Sequence, residues 1–244
     1  GICSPNVQSN SDDYFHAISL QQITAVTVTG NGNTCPVKIN TGNNAPTVND
    51  VTNFTIPRAT PFALTAVGTD ANADALTYCW EQMDAQFATM PPVSTSTGGP
   101  LFRSFDPSSS PTRYFPRLID LANNISPTWE KLPTVARTMN FRVTVRDNHP
   151  GGGCTAEDNV VVTVSGSAGP FVVTQPNASG IIWISGTTQE ITWDVANTNV
   201  PPINTGNVRL TLSTDGGLTY PVVLSASTPN NGSASVVVPA VTST

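Results

Sequence analysis

The feature that most constrains this fold is a two-residue alternation of apolar and polar side chains, repeated in short runs. Residues 140–146 place Phe141, Val143 and Val145 on one face of an extended chain and polar side chains on the other. A period of two is the period of a β-strand with one buried face. Other strand-like runs occupy residues 76–81, 159–164, 190–195 and 208–213. The pattern therefore predicts an all-β protein.

Composition supports this class and excludes some partners. Only 11% of the 244 residues are charged, whereas the chain contains 18 Gly and 21 Pro. Asn, Gly and Pro favour turns, and Thr and Val favour strands. With a formal net charge of −6, the chain is a poor binder of a phosphate backbone, so we expect no nucleic-acid partner. No apolar run approaches the roughly 20 residues of a membrane-spanning helix, so we expect no membrane span.

Turn-forming clusters divide the chain into three regions. Residues 1–43 carry an acidic helix-start signal at 11–13 and are predicted to form a short helical leader and a linker. Residues 44–165 carry a first set of strands, interrupted by a long Pro-rich insertion at 90–137. Residues 170–244 carry a second set, which by count lacks its final strand. The prediction is a pair of tandem immunoglobulin-like β-sandwiches behind a short N-terminal helical leader.

The four cysteines predict disulfides. Four cysteines allow three pairings, and the economical one is local in sequence, joining Cys3 to Cys35 and Cys79 to Cys154. The low charge and Thr-rich composition fit an oxidising compartment, where such bonds persist. Buried free thiols are the alternative.

One loop has the composition of a calcium site. Asp70, Asn72 and Asp74 carry oxygen-bearing side chains at alternate positions between two predicted strands. Calcium takes six to eight oxygen ligands, and Asp147 and Asp158 could add to the set if their loops reach the same end of the sandwich. The alternative is a turn in which the Asx side chains bond their own backbone.

The sequence contains no recognisable catalytic constellation. Its two histidines, His16 and His149, belong to separate segments, and neither stands in an HExxH motif, which is the common zinc-peptidase signature. The chain also lacks a GxSxG nucleophile elbow and a strand-linked GxGxxG loop. We therefore expect no enzymatic activity from this chain itself.

Aromatic residues in the insertion have two interpretations. Tyr114, Phe115 and Trp129 could form a contact surface for a glycan or another protein. They could equally form a small core beneath a long loop, which is the simpler interpretation.

Several longer segments carry a family resemblance. The leader contains GICSP (1–5) and SDDYFHAISLQQI (11–23); the rest of the chain contains NAPTV (44–48), LTYCWEQ (76–82), RYFP (113–116), WEKLP (129–133), NFRVTVRDN (140–148), ITWDV (191–195) and LSTDGG (212–217). Together these segments resemble the post-catalytic region of secreted, reprolysin-like zinc metallopeptidases of Bacteroidetes-type bacteria. In this resemblance the leader is the end of the catalytic domain, just after its zinc-binding helix and Met-turn.

The resemblance implies a non-catalytic accessory region that serves as spacer, stabiliser, or docking module for substrate or partner. It implies a longer secreted or cell-surface protein, in which the upstream catalytic domain is a partner within the same chain. Zinc would belong to that domain alone, because the HExxHxxGxxH motif has no counterpart here. For this region we expect no cofactor other than a structural calcium ion. An extracellular adhesion or carbohydrate-binding module is the alternative function.

Overall fold

The computed structural model describes residues 5–34, 36–178 and 180–242. It confirms the all-β class, with 32% of the chain in strands and 9% in helices. Four helical elements are described. They are α1 (Ala17–Thr24), the π-helical turn that continues it (Ala25–Thr29), a 3-10 turn (Asn31–Thr34) and α2 (Leu118–Ala122). No helix in the described ranges is both long and apolar enough to cross a membrane.

Residues 44–165 contain the strands of the first sandwich. These are β1 (Thr47–Val48), β2 (Phe54–Pro57), β3 (Phe62–Thr65), β4 (Gly68–Thr69), β5 (Thr77–Gln82), β6 (Thr112–Phe115), β7 (Arg137–Arg146) and β8 (Thr155–Ser165). The main sheet has the order β2-β8-β7-β5, in which β2 is parallel to β8 and the other neighbours are antiparallel. The pairs β3-β6 and β1-β4 form two smaller sheets.

The core of the first sandwich follows the alternation in β7. Phe141, Val143 and Val145 are each at most 1% exposed, which confirms the predicted inward face. The rings of Phe115 and Phe141 pack edge to face with their centroids 4.9 Å apart, a geometry that aromatic pairs favour. Trp80 belongs to the same core, and its indole N–H donates to the Pro111 carbonyl at 3.1 Å.

The segment 90–137 is part of this core rather than a loop outside it. Leu101, Phe102 and Phe115 are at most 3% exposed, and the segment contains both β6 and α2. Burial of these side chains explains how so long a connection remains ordered, because apolar burial offsets the entropy of ordering the chain.

The second sandwich is smaller. Its strands are β9 (Val172–Gln175), β10 (Thr188–Asp194), β11 (Asn207–Leu212), β12 (Val222–Pro229) and β13 (Ser233–Val237). They form a three-stranded sheet, β13-β10-β9, and a two-stranded sheet, β11-β12, both antiparallel. Ile191, Trp193 and Val236 are the buried centre of its apolar cluster.

The linker between the sandwiches is bonded to both of them. The Arg58 N–H donates to the Ala168 carbonyl at 3.0 Å, and the Gly169 N–H donates to the Ala196 carbonyl at 2.8 Å. Gly169 has a φ of 95°, and a side chain there would overlap the Arg58 carbonyl oxygen, so only glycine fits. The sandwiches are therefore joined by a fixed connection, unlike a flexible Gly/Ser linker.

The predicted disulfide between Cys79 and Cys154 is wrong. Both cysteines are free. Cys79 lies on β5 and Cys154 directly precedes β8, and β7 lies between these two strands. Two strand spacings are about 9.5 Å, whereas a disulfide needs a Cα separation of roughly 4.4–6.8 Å. The predicted partners Cys3 and Cys35 lie outside the described residues.

Candidate functional site

The outer face of β5 and β7 is buried although it is largely polar. Cys79 and Thr144 are each 1% exposed and Glu81 is 6% exposed. Alternate residues of a strand point to opposite faces, so these side chains point away from the core that holds Trp80 and Val143. The leader covers the Glu81 end of this face, and the Phe105 carbonyl of the insertion accepts from the Cys79 thiol at 3.4 Å.

Glu81 binds the first turn of α1. Its Oε2 accepts the Ala17 backbone N–H at 2.7 Å, and its Oε1 lies 2.7 Å from His16 Nδ1. The first N–H groups of a helix have no partner inside the helix, and a carboxylate there also interacts favourably with the helix dipole. The residue that precedes the helix, His16, supplies no side-chain cap. Glu81, from a strand distant in sequence, takes that role.

A second contact fixes the leader at the other end of the same face. The Arg146 guanidinium donates to the Phe15 carbonyl at 2.7 Å and lies 5.7 Å from the centre of the Tyr14 ring. Burial raises the pKa of Tyr14 well above its usual value, so its hydroxyl stays neutral. We call Tyr14, His16, Ala17, Glu81 and Arg146 the leader dock.

The leader dock also contains groups that resemble catalytic ones. Ser104 Oγ lies 3.4 Å from His16 Nδ1, but the same nitrogen makes its short contact with Glu81. Because a carboxylate can only accept, Nδ1 carries the proton in that contact and cannot serve as a base for Ser104. Burial raises the pKa of Cys79 to about 11, so at neutral pH it is a thiol and not a reactive thiolate.

The predicted calcium loop forms an Asx turn. Asp70 Oδ1 accepts the backbone N–H groups of Asn72 at 2.8 Å and Asp74 at 3.0 Å. Asn72 Oδ1 accepts the Asn44 N–H at 2.8 Å, and Asp74 Oδ2 lies 2.7 Å from His149 Nδ1. One oxygen of each predicted ligand is thus already a hydrogen-bond acceptor.

Asp147 lies in the same loop as His149, the residue that contacts Asp74. Asp147 is 1% exposed, and its oxygens accept the Cys154 N–H at 2.8 Å and the Asn43 side-chain amide at 2.7 Å. Burial acts to raise its pKa, but the hydrogen bonds from Asn43, Cys154 and His149 outweigh burial and lower it. We call Asn43, Asp70, Asn72, Asp74 and Asp147 the Asx cluster.

Asp158 does not belong to the Asx cluster; it accepts the Val51 N–H at 2.6 Å. Within the described ranges, no group of three or more His, Cys, Asp or Glu side chains is arranged to hold a metal ion. Asn43 Oδ1 and Asp70 Oδ2 are buried without a hydrogen-bond partner. Calcium binding at Asp70, Asn72 and Asp74 therefore stays a prediction.

The three aromatic residues predicted as a contact surface differ in burial, and Trp129 is half-buried. Phe115 is 0% exposed and belongs to the core, whereas Tyr114 is 41% exposed. Phe115 is consequently unavailable to a partner, as the core interpretation expects.

Sequence reasoning missed the role of Glu81. Its contacts to His16 and Ala17 span 65 and 64 residues, a separation that no local motif encodes. The one signal was a carboxylate beside Trp80 in an apolar strand, because a buried carboxylate needs a partner.

Comparison with known proteins identifies neither the leader dock nor the Asx cluster. No protein-family model matches the chain, and no curated protein matches it. The leader dock and the Asx cluster are thus the features from which a function can be proposed.

Proposed function

We propose that this chain is the non-catalytic accessory region of a secreted zinc metallopeptidase, and that it acts as a rigid spacer and stabiliser. The observation that carries the proposal is the binding of the α1 N-terminus by Glu81. In the family that the sequence resembles, the leader is the end of the catalytic domain. A leader held against the sandwich would hold that domain in a set orientation.

The contacts of the leader are distributed along it. Glu81 binds the first turn of α1, Arg146 binds the Phe15 carbonyl before it, and Arg142 donates to Gln21 at 3.2 Å within it. Because these contacts lie at separate points, the leader cannot rotate about any one of them. The bonded linker between the sandwiches extends the same rigidity to the second sandwich.

An extracellular adhesion or carbohydrate-binding module is the second candidate. Tyr114 favours it, because an exposed ring can stack on a sugar. It lies beside Arg117 in a depression of about 250 Å³. The burial of Phe115 leaves a smaller aromatic surface than the sequence suggested. We therefore prefer the spacer.

The rigidity is tested by hydrogen exchange in the intact chain. Glu81→Gln removes the charge from the α1 N-terminus and one acceptor, so the amides of residues 17–24 should exchange at least tenfold faster while β7 is unchanged. Glu190→Gln, on an exposed site of β10, is the matched control and should change neither. Rapid exchange of α1 in the unmodified chain would contradict a fixed leader.

The parent protein is tested separately. An antibody against the first sandwich should recover a larger polypeptide from the culture medium, with chelator-sensitive peptidase activity in the same chain. A secreted polypeptide with no zinc and no such activity would contradict the metallopeptidase assignment and leave the leader dock unaffected.

A further inference from the structure

The depression beside Tyr114 is built from several parts of the first sandwich. It has a volume of about 250 Å³, and its walls come from β5, the segment 105–110, β6 and the start of α2. The lining residues all lie between positions 78 and 118, in the middle of the sequence. Both strands that form its walls are paired, β5 with β7 and β6 with β3. The depression therefore belongs to the assembled body of the first sandwich.

Tyr114 forms the aromatic wall of the depression. It is 41% exposed, and its position in β6 is fixed by pairing with Ala63 of β3. The residue before it, Arg113, stacks 4.4 Å from the centre of the buried Phe115 ring. Since successive side chains of a strand point to opposite faces, Tyr114 points away from this core and toward solvent. Its ring is a flat, half-exposed surface on which the C–H face of a sugar ring can pack.

Arg117 supplies a hydrogen-bond donor whose orientation is fixed. Its Nε and Nη2 donate to the two Asp120 oxygens at 2.9 and 3.3 Å, and its guanidinium lies 4.8 Å from the centre of the Phe105 ring. Among the described residues, its third nitrogen, Nη1, has no acceptor. The side chain is 49% exposed and lines the depression. Nη1 is therefore held in place and is available to a ligand.

Asp106 supplies the matching acceptor. It is exposed, lines the depression and has no hydrogen bond or ion pair among the described residues. Its loop is fixed two residues later, where Ser108 exchanges two backbone hydrogen bonds with Tyr78, at 2.8 and 3.0 Å. A carboxylate can only accept hydrogen bonds and a guanidinium can only donate them. A ligand that uses both groups must therefore carry donors and acceptors close together, as neighbouring hydroxyl groups do.

The charges around the depression favour a neutral ligand. Two cations line it, but Arg113 is already paired with Glu130 at 2.9 Å and Arg117 with Asp120 at 2.9 Å. Asp106, in contrast, has no cationic partner in the described part of the chain. A carboxylate or phosphate on the ligand would meet one unpaired anion and no unpaired cation, and like charges repel. A neutral sugar avoids this cost, whereas an acidic sugar does not.

We propose that the depression binds one neutral sugar residue of a glycan. The sugar ring packs on Tyr114, one hydroxyl donates to Asp106 and a neighbouring hydroxyl accepts from Arg117 Nη1. The proposal rests on the second candidate function, a carbohydrate-binding module, and gives that function a site and a ligand class. The spacer role of the leader does not depend on it. Sites for drug-sized ligands have volumes of roughly 300–1,000 Å³, so the smaller depression takes a single ring.

The affinity for a free monosaccharide should be low. The walls of the depression are fixed before a ligand arrives, which limits the entropy cost of binding. With only two charged partners and one ring, we still expect a dissociation constant of about 1 mM. NMR detected on the protein is therefore the suitable measurement, because it reports weak binding residue by residue.

The intact chain, labelled with nitrogen-15, is titrated with the methyl glycosides of glucose, galactose and mannose. At least one of them should shift the amides of residues 105–118 saturably and leave those of the second sandwich unchanged. The uronic acid counterpart of the binding sugar carries a carboxylate in place of the CH₂OH group. It should bind at least threefold more weakly, because it brings a negative charge to a site that has no unpaired cation.

Two variants test the walls of the depression. Asp106→Ala removes the acceptor without removing a described contact of the fold, and it should weaken binding at least tenfold. Tyr114→Ala should do the same by removing the packing surface. Tyr220→Ala, which removes a similarly exposed ring from the second sandwich, is the matched control and should leave the affinity unchanged. The amide spectrum of each variant verifies that it is folded.

Contrary results separate the site from the function on which it rests. Saturable shifts that survive both Asp106→Ala and Tyr114→Ala would place the sugar elsewhere and overturn this site, while carbohydrate binding itself would stand. Tighter binding of the uronic acid would overturn the neutral ligand class. No saturable shift with any of the three sugars would overturn the site, and an empty glycan array in addition would overturn the second candidate function. The hydrogen-exchange test of the leader dock is independent of these results.

Discussion

The two sandwiches share a strand pattern but differ in how completely that pattern is covered. Among the described residues, the buried core cluster of the first contains thirteen residues and that of the second contains three. The first also has its outer sheet face covered by the leader and the insertion, whereas the second has a groove open between its sheets. Alternating strands alone therefore do not determine how much apolar surface is buried. Additional segments do, and among the described residues only the first sandwich has them.

The segment 90–137 is the clearest case. It supplies Phe102 and Phe115 to a cluster of rings whose other members are Phe62 and Phe141. The second sandwich has no aromatic cluster of this kind among its described residues. Its main polar anchor is instead the Trp193 indole N–H, which donates to Asn230 Oδ1 at 2.8 Å.

The largest expected effect comes from removing a ring from the first core. Phe141→Ala should lower the free energy of unfolding of the first sandwich by about 3–5 kcal/mol, through lost burial and the remaining cavity. Urea unfolding should show two transitions, of which the variant shifts only the more stable one. A single transition in the unmodified chain would show that the sandwiches unfold together. The difference in core size would then not make one sandwich more stable than the other.

A smaller effect is expected at the polar anchor of the second sandwich. Asn230 is 3% exposed and also donates to Thr198 Oγ1 at 2.8 Å. Asn230→Ala leaves the indole N–H of Trp193 buried without an acceptor, which should cost about 1–3 kcal/mol. The less stable urea transition should move while the other stays in place. Asn231→Ala, at an exposed neighbouring position, is the control, and an equal shift there would contradict the assignment.

The predicted calcium site belongs to the first sandwich alone. With a dissociation constant near 1 mM, as in extracellular modules, 10 mM calcium would stabilise that sandwich by about 1.4 kcal/mol. Its melting temperature should rise with calcium and fall again with chelator. Asp70→Asn should abolish the response, and Asp50→Asn, at an exposed position, should preserve it. No heat of binding in calorimetry would remove the site.

The smallest expected effect is a pH dependence in the second sandwich. Hydrogen bonds from the Thr219 side chain and backbone and from Ser213 lower the pKa of Asp215 to about 2. A carboxylate with a lowered folded-state pKa adds stability above its unfolded pKa of about 3.9, and this is lost as the pH falls through the folded value. The melting-temperature difference between the unmodified chain and Asp215→Asn should therefore be present at pH 6 and shrink by pH 2. A difference that is constant with pH would contradict this role.

The strands themselves were predictable because the alternation is local. β7 buries Phe141, Val143 and Val145 as its sequence requires, and β10 likewise buries Ile191 and Trp193. Each strand needs only its own side chains to express a period of two. The same locality explains the Asx turn at Asp70, whose partners lie two and four residues away.

Other features depended on which strands become neighbours, and here sequence reasoning failed or was silent. The disulfide prediction joined Cys79 to Cys154 because that pairing is local in sequence, but β7 lies between β5 and β8. The leader dock joins Glu81 to a helix more than sixty residues earlier. No local motif encodes which strands become neighbours or which helix Glu81 binds.

By itself, then, the sequence determined the strand period, the fold class and the turn chemistry, since each arises from residues within a few positions of one another. Tertiary structure alone decided that β5 is buried on both faces and that the long insertion belongs to the core. The physical reason is that burial is set by what packs against a surface. A strand encodes which of its faces is apolar, and only the assembled chain decides what covers that face.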